Sequence, residues 1–230
     1  MSKINKKKMT IAVLSAALIA TVAIGGSLAY LTDTYSKTNE INIETDLGTE
    51  VSEPDWKDPD SILPGDTNYK NPYIVTKNKI YARIKIEYKD KENNAITDAE
   101  RLALIKRTIK YDPDFTNFVE GNSYTAAAVD AFTAMTNTAD FTEVAGTAGT
   151  DYYYYTGAAD KVLTTDSAPL FTTIVVPSDW GNDEIAALGR FDIKVTVEAI
   201  QADNNPLPDT VTDIDSYADW FTNTYNALNT

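Results

Sequence analysis

The chain of 230 residues contains no cysteine and no histidine. Without cysteine, no disulfide can support the fold in an oxidising compartment. Without histidine, the commonest general base and the commonest zinc ligand are both missing. A His-Glu-x-x-His zinc site is excluded outright, and a serine nucleophile would lack its usual base. Zinc would have to be held by carboxylates alone, an uncommon choice for that ion. A Ser–Lys pair stays open, although no motif points to one. Glycine-rich phosphate loops are also absent. These gaps predict a protein that is not an enzyme and that carries no cofactor and no metal.

Positive charge is scarce as well. There are 20 lysines and arginines against 34 aspartates and glutamates. Four of the basic residues (Lys3, Lys6, Lys7, Lys8) and none of the acids fall within the first 29 positions, so residues 30–230 carry a net charge of −18. Such a surface disfavours nucleic acid and anionic membrane as partners.

Long apolar runs are confined to one place. Met9 to Ile24 is a stretch of 16 residues, shorter than the roughly 20 needed to span a bilayer. It follows the four lysines and ends in small residues, the pattern of a secretory signal peptide. Ser27 and Ala29 stand three and one positions before the expected cut, which leaves Tyr30 as the new N-terminus. An uncleaved membrane anchor is the rival reading.

The junction Gly25-Gly26-Ser27-Leu28-Ala29-Tyr30-Leu31-Thr32-Asp33 resembles the signature of precursors cut by the SipW-type signal peptidase. Those precursors are the TasA, camelysin and BsaA-like proteins of Gram-positive bacteria. Leu31 departs from the phenylalanine usual at that place. The run Glu198-Ala199-Ile200-Gln201-Ala202 resembles the closing strand of the BsaA-like branch, and the Pro64-Gly65-Asp66 turn resembles one in the TasA-like domain. The resemblance implies export, a β-sandwich of jelly-roll type, and a place in biofilm matrix or cell-surface fibres. It further implies subunits joined head to tail by donor-strand exchange, with the SipW-type peptidase as a partner during export and other matrix proteins as possible neighbours. The camelysin branch would add a metalloprotease activity, which the lack of histidine argues against.

Period-two alternation marks the strands. Ile41, Ile43, Thr45 and Leu47 alternate with polar residues. This stretch reads either as the first strand of the sandwich or as one that completes a neighbour's sheet, with Ile41, Ile43 and Leu47 filling apolar positions there. Residues 51–66 hold three prolines and five acids and read as a loop, because proline withholds an amide donor. Asp55, Asp58 and Asp60 do not have the spacing of an EF-hand, so a solvated acidic loop is expected rather than a calcium site. Residues 63–67 do not form a sortase signal, being internal and in the wrong order. Tyr69 to Thr76 reads as one short strand ending in a turn at Lys77-Asn78.

Lys79 to Lys89 gives the clearest strand pattern. Ile80, Ala82, Ile84, Ile86 and Tyr88 share one face, and Tyr81, Arg83, Lys85, Glu87 and Lys89 share the other, which is expected to be solvated. Residues 93–107 predict an inserted helix, with Thr97 and Glu100 at capping-box spacing. Ile109 to Phe118 returns as strand or turn. Residues 121–150, low in charge, read mainly as a variable surface insertion with a short helix near Ala126 to Met135. Of the four tyrosines Tyr152 to Tyr155, two should enter the core and two face outward. The outward pair would suit sugars or a neighbouring subunit, and sheet structure alone explains them equally well.

Leu170 to Pro177 reads as an apolar strand, and Asn182 to Leu188 as a short helix stopped by Gly189. In Phe191 to Ile200, Phe191, Ile193, Val195, Val197 and Ala199 point inward. Ile214, Tyr217, Phe221, Tyr225 and Leu228 form a helical stripe capped by Asp213. It is expected to pack on the sandwich or dock to a partner.

The predicted organisation is therefore a signal peptide (1–29), an N-terminal strand segment (30–47), a domain (48–203) with an insertion at about 93–150, and a C-terminal linker and helix (204–230). The fold class is mainly β, an antiparallel sandwich of jelly-roll type with short helical insertions and a C-terminal helix. The expected role is a secreted structural protein of the extracellular matrix or cell surface that polymerises with itself. A monomeric adhesin or glycan-binding module is the alternative.

Overall fold

The computed structural model describes residues 49–53 and 63–229. Three antiparallel sheets build a mainly β, sandwich-like fold. The largest has the order β6-β7-β4-β9. Its strands are β4 (Ile80–Asp90), β6 (Phe141–Ala145), β7 (Thr150–Tyr155) and β9 (Phe191–Gln201). A second sheet has the order β2-β8-β5, from β2 (Thr67–Tyr69), β5 (Ile109–Lys110) and β8 (Thr173–Val175). A third is the ribbon of β1 (Glu50–Ser52) and β3 (Tyr73–Val75).

The two long strands form where the alternation predicts them. β4 and β9 pair over eleven residues each without a bulge, from Ile80↔Gln201 to Asp90↔Phe191. Their inner faces bring Ile80, Ala82, Ile84, Ile86, Tyr88, Phe191, Ile193, Val195 and Val197 into one core with Ile74, Ile109, Phe171, Ile174 and Val176 from the facing layer. Burial of this apolar surface is the main force joining the layers.

Several elements differ from the sequence expectation. The single strand read over Tyr69 to Thr76 is two strands, β2 and β3, in different sheets. Lys70, Asn71 and Pro72 break it, and the fully buried Lys70 meets Glu53 at 3.7 Å. The start of the predicted acidic loop, Val51-Ser52, belongs to β1, and Val51 enters the core. The stretch read as a surface insertion supplies β6, which pairs with β7 from Phe141↔Tyr155 to Ala145↔Asp151. It also supplies α2 (Ala126–Ala131), whose Val129 closes over Val175 together with Phe118.

Helix α1 (Ala99–Thr108) is capped by Asp98, whose Oδ1 accepts the Arg101 amide at 2.8 Å, rather than by Thr97. Helix α3 (Asn182–Leu188) ends at Gly189, with φ of 58°. A side chain there would be strained and would crowd the Arg101 guanidinium. Arg101 uses that space to donate to the carbonyls of Leu188 and Arg190, at 2.8 and 2.5 Å, which ties α1 to α3.

Helix α4 (Ile214–Leu228) starts at the predicted cap: Asp213 accepts the Ser216 amide at 2.8 Å, and the Ser216 hydroxyl accepts the Asp213 amide at 3.1 Å. Its stripe lies on the outer face of the large sheet, where Tyr217 and Phe221 are fully buried against Tyr81, Tyr154 and Ile200. Among the described residues no helix is long and apolar enough to cross a membrane.

Candidate interaction surfaces

The outer face of the large sheet is divided in two. Under α4 it is an aromatic layer: Tyr81 meets Trp220 at 4.9 Å between ring centroids, and Tyr154 meets Phe221 at 5.6 Å, both edge to face. Such contacts add to the stabilisation from burial. At the centre lies Arg83, only 5% exposed. Its Nε donates to Glu198, the residue opposite it on β9, at 2.5 Å. Its Nη1 donates to the Tyr154 hydroxyl at 2.5 Å and to Thr222 of α4 at 2.7 Å. The guanidinium also lies 4.4 Å from the Tyr152 ring centroid, a favourable cation–π distance. Burial opposes the charge on Arg83, but Glu198 and Tyr154 outweigh it and raise its pKa.

This corrects the expectation that Arg83 lies on a solvated face. The alternation placed it on the outer face correctly, but that face is covered by the helix. The outward tyrosines are likewise engaged. Tyr154 is buried, and Tyr152 stacks on Arg83. Tyr153 faces the core, and Tyr155 packs at the core's margin.

Beyond the helix the same face is charged and half-buried. Lys85, Lys89 and Lys194 surround Glu87 at 3.5, 3.1 and 3.4 Å. Burial would raise the Glu87 carboxyl, but Lys89, Lys85 and Lys194 hold it below its usual value. On the inner side of the sheet, Asp151 accepts the Tyr88 hydroxyl at 2.9 Å and meets Lys106 of α1 at 2.7 Å. Burial, with Asp151 and Glu143 nearby, pushes the Tyr88 and Tyr153 hydroxyls well above their ordinary range.

Among the described residues, shallow clefts open on the surface. One, of about 440 Å³, is lined by Lys79, Tyr81, Asp160 and the 202–207 linker. Another, of about 340 Å³, lies between the turn after β4 and the end of α3. Among the described residues no group of carboxylates is arranged to hold a metal ion.

The residues singled out for processing and assembly, Ser27, Ala29, Tyr30, Ile41, Ile43 and Leu47, lie outside the described residues, as do Asp55, Asp58 and Asp60. Sequence reasoning missed the Arg83–Glu198–Thr222 junction. The signal for it was present: the aromatic helical stripe packs on an aromatic sheet face, supplied by the Tyr81/Arg83 side of β4 and the Tyr152/Tyr154 side of β7. No family model, curated protein or solved structure matches the chain.

Proposed function

We propose that the protein is an exported structural subunit of an extracellular matrix or cell-surface fibre. The observation that carries this reading is the lysine-led apolar segment ending in Gly25-Gly26-Ser27-Leu28-Ala29-Tyr30. It combines a secretory signal with a junction resembling that of TasA-like precursors. A sandwich-like fold without cysteine is compatible with that role. Cleavage after Ala29 frees residues 30–47, whose polar start and alternating end suit a strand that pairs with an adjacent subunit. The contact is head to tail, so growth is open-ended.

Electron microscopy of the purified protein beginning at Tyr30 tests the reading. Unbranched fibres of uniform width are expected. A protein that stays monomeric across concentration and pH, and that binds glycan, would support the adhesin reading instead.

A further inference from the structure

Strand β9 ends the large sheet. β4 pairs with one of its edges, and among the described residues no strand pairs with the other. The register identifies the backbone groups on that open edge. The Ala202 amide donates to the Lys79 carbonyl at 2.9 Å, so Lys79 and Ala202 form a hydrogen-bonded pair. Antiparallel pairs alternate between bonded and non-bonded. Asp192, Lys194, Thr196, Glu198 and Ile200 therefore aim their amides and carbonyls at β4. Phe191, Ile193, Val195 and Val197 aim theirs at the open edge. The other side of β4 agrees: the Tyr88 amide donates to Gly149, at the β7 side, at 2.9 Å.

These four edge residues are only 4–7% exposed, side chain and backbone together. Their outward groups are largely withdrawn from water, and buried backbone donors and acceptors are nearly always paired. An edge this long and regular is also a ready template for another strand.

The geometry points to one occupant: the chain's own segment Ile41–Leu47, seated along the open edge of β9. That segment alternates as a half-buried strand does. Its seven residues span roughly 23 Å when extended, the same length as the seven from Phe191 to Val197. Only Gly48 and Thr49 separate it from β1, which runs next to β9. So short a tether gives the segment a high effective concentration at this edge. The chain would then pass from β9 to β3 at Gly48, joining two sheets. This goes beyond the fibre reading because it holds for a single subunit. In a fibre the seat would have to be vacated and refilled by a neighbour.

Amide hydrogen exchange followed by NMR tests the seat, on purified protein confirmed monomeric by mass. The amides of Ile193, Val195 and Val197 should exchange slowly. Ile43→Pro, which removes a donor from the middle of the segment, should speed them at least tenfold. Ile84 and Ile86, whose amides face β7, should keep their protection, and added peptide 38–48 should restore slow exchange at β9. Fast exchange at the three amides in the unaltered monomer overturns the inference, as does unchanged slow exchange in the variant. Protection that arises only on self-association also overturns it, because a second copy then fills the edge. A second measurement covers a variant that fails to fold. A spin label on Thr45→Cys, the chain's only thiol, should broaden the Ile193 to Val197 amide signals in the dilute monomer. Unbroadened signals there overturn the seat.

Discussion

Arg83 shows how one residue can hold two layers together. Its guanidinium is shared between Glu198 on the neighbouring strand and Thr222 on the helix above. Removing one partner of a buried ion pair leaves an uncompensated charge and costs about 3–5 kcal/mol. Glu198→Ala is therefore expected to lower the melting temperature by roughly 10 °C, given about 2–4 °C per kcal/mol for a domain of this size. The double variant Arg83→Met/Glu198→Leu should recover much of that loss, because an apolar pair of similar volume is well tolerated at such sites. Calorimetry of the three proteins checks both statements. A Glu198→Ala melt within 2 °C of the unaltered protein would show that the pair contributes little. Period-two alternation was enough to place Arg83 on the correct side of its strand. Its burial was not legible, because it depends on a helix more than a hundred residues further along.

At the scale of elements, length decided what the sequence could reveal. β4, β9 and α4 each present several repeats of their period, and all three form close to their expected bounds. β1, β2, β3, β5 and β8 have three residues or fewer, too short for a period to register. They exist because long-range pairing and burial hold them, as with Ile174 between Asn68 and Ile109. Helix α4 acts as a cover for the aromatic layer. Phe221→Ala should cost about 3–5 kcal/mol, the range for deleting a fully buried phenylalanine. It should also raise binding of an apolar dye, as Tyr81, Tyr154 and Ile200 lose their cover. Denaturant melts with and without the dye measure both effects. An unchanged midpoint would mean that α4 is only loosely docked.

For the whole molecule, the missing histidine makes a prediction about pH. No side chain with an ordinary pKa titrates between about pH 6 and 8, so stability should be nearly flat there. On the acid side, the carboxyl of Glu87 is lowered in the folded state. Its contribution is present above the unfolded value near 4.5 and is lost as pH falls through the lowered folded value. On the alkaline side, burial first, then neighbouring charges or hydroxyls, raise Tyr88, Tyr153 and Tyr217. Their contribution is complete below the unfolded value near 10 and is lost as pH rises toward the folded values. Stability measured by urea titration should thus show a plateau with a fall at each end. An ultraviolet titration should show these three of the 14 tyrosines ionising only as the protein unfolds. A clear stability transition near pH 6.5 would contradict this account.

Fibre formation is the central claim, and it depends on residues 30–47. The decisive measurement is electron microscopy of the protein starting at Tyr30 beside one lacking residues 30–43, at equal concentration and with folding confirmed by circular dichroism. The account predicts fibres from the first, none from the second, and shortened fibres when a synthetic 30–47 peptide is added to the first. Normal fibres from the shortened protein would contradict the donor-strand mechanism, and no fibres from either would contradict the structural role itself.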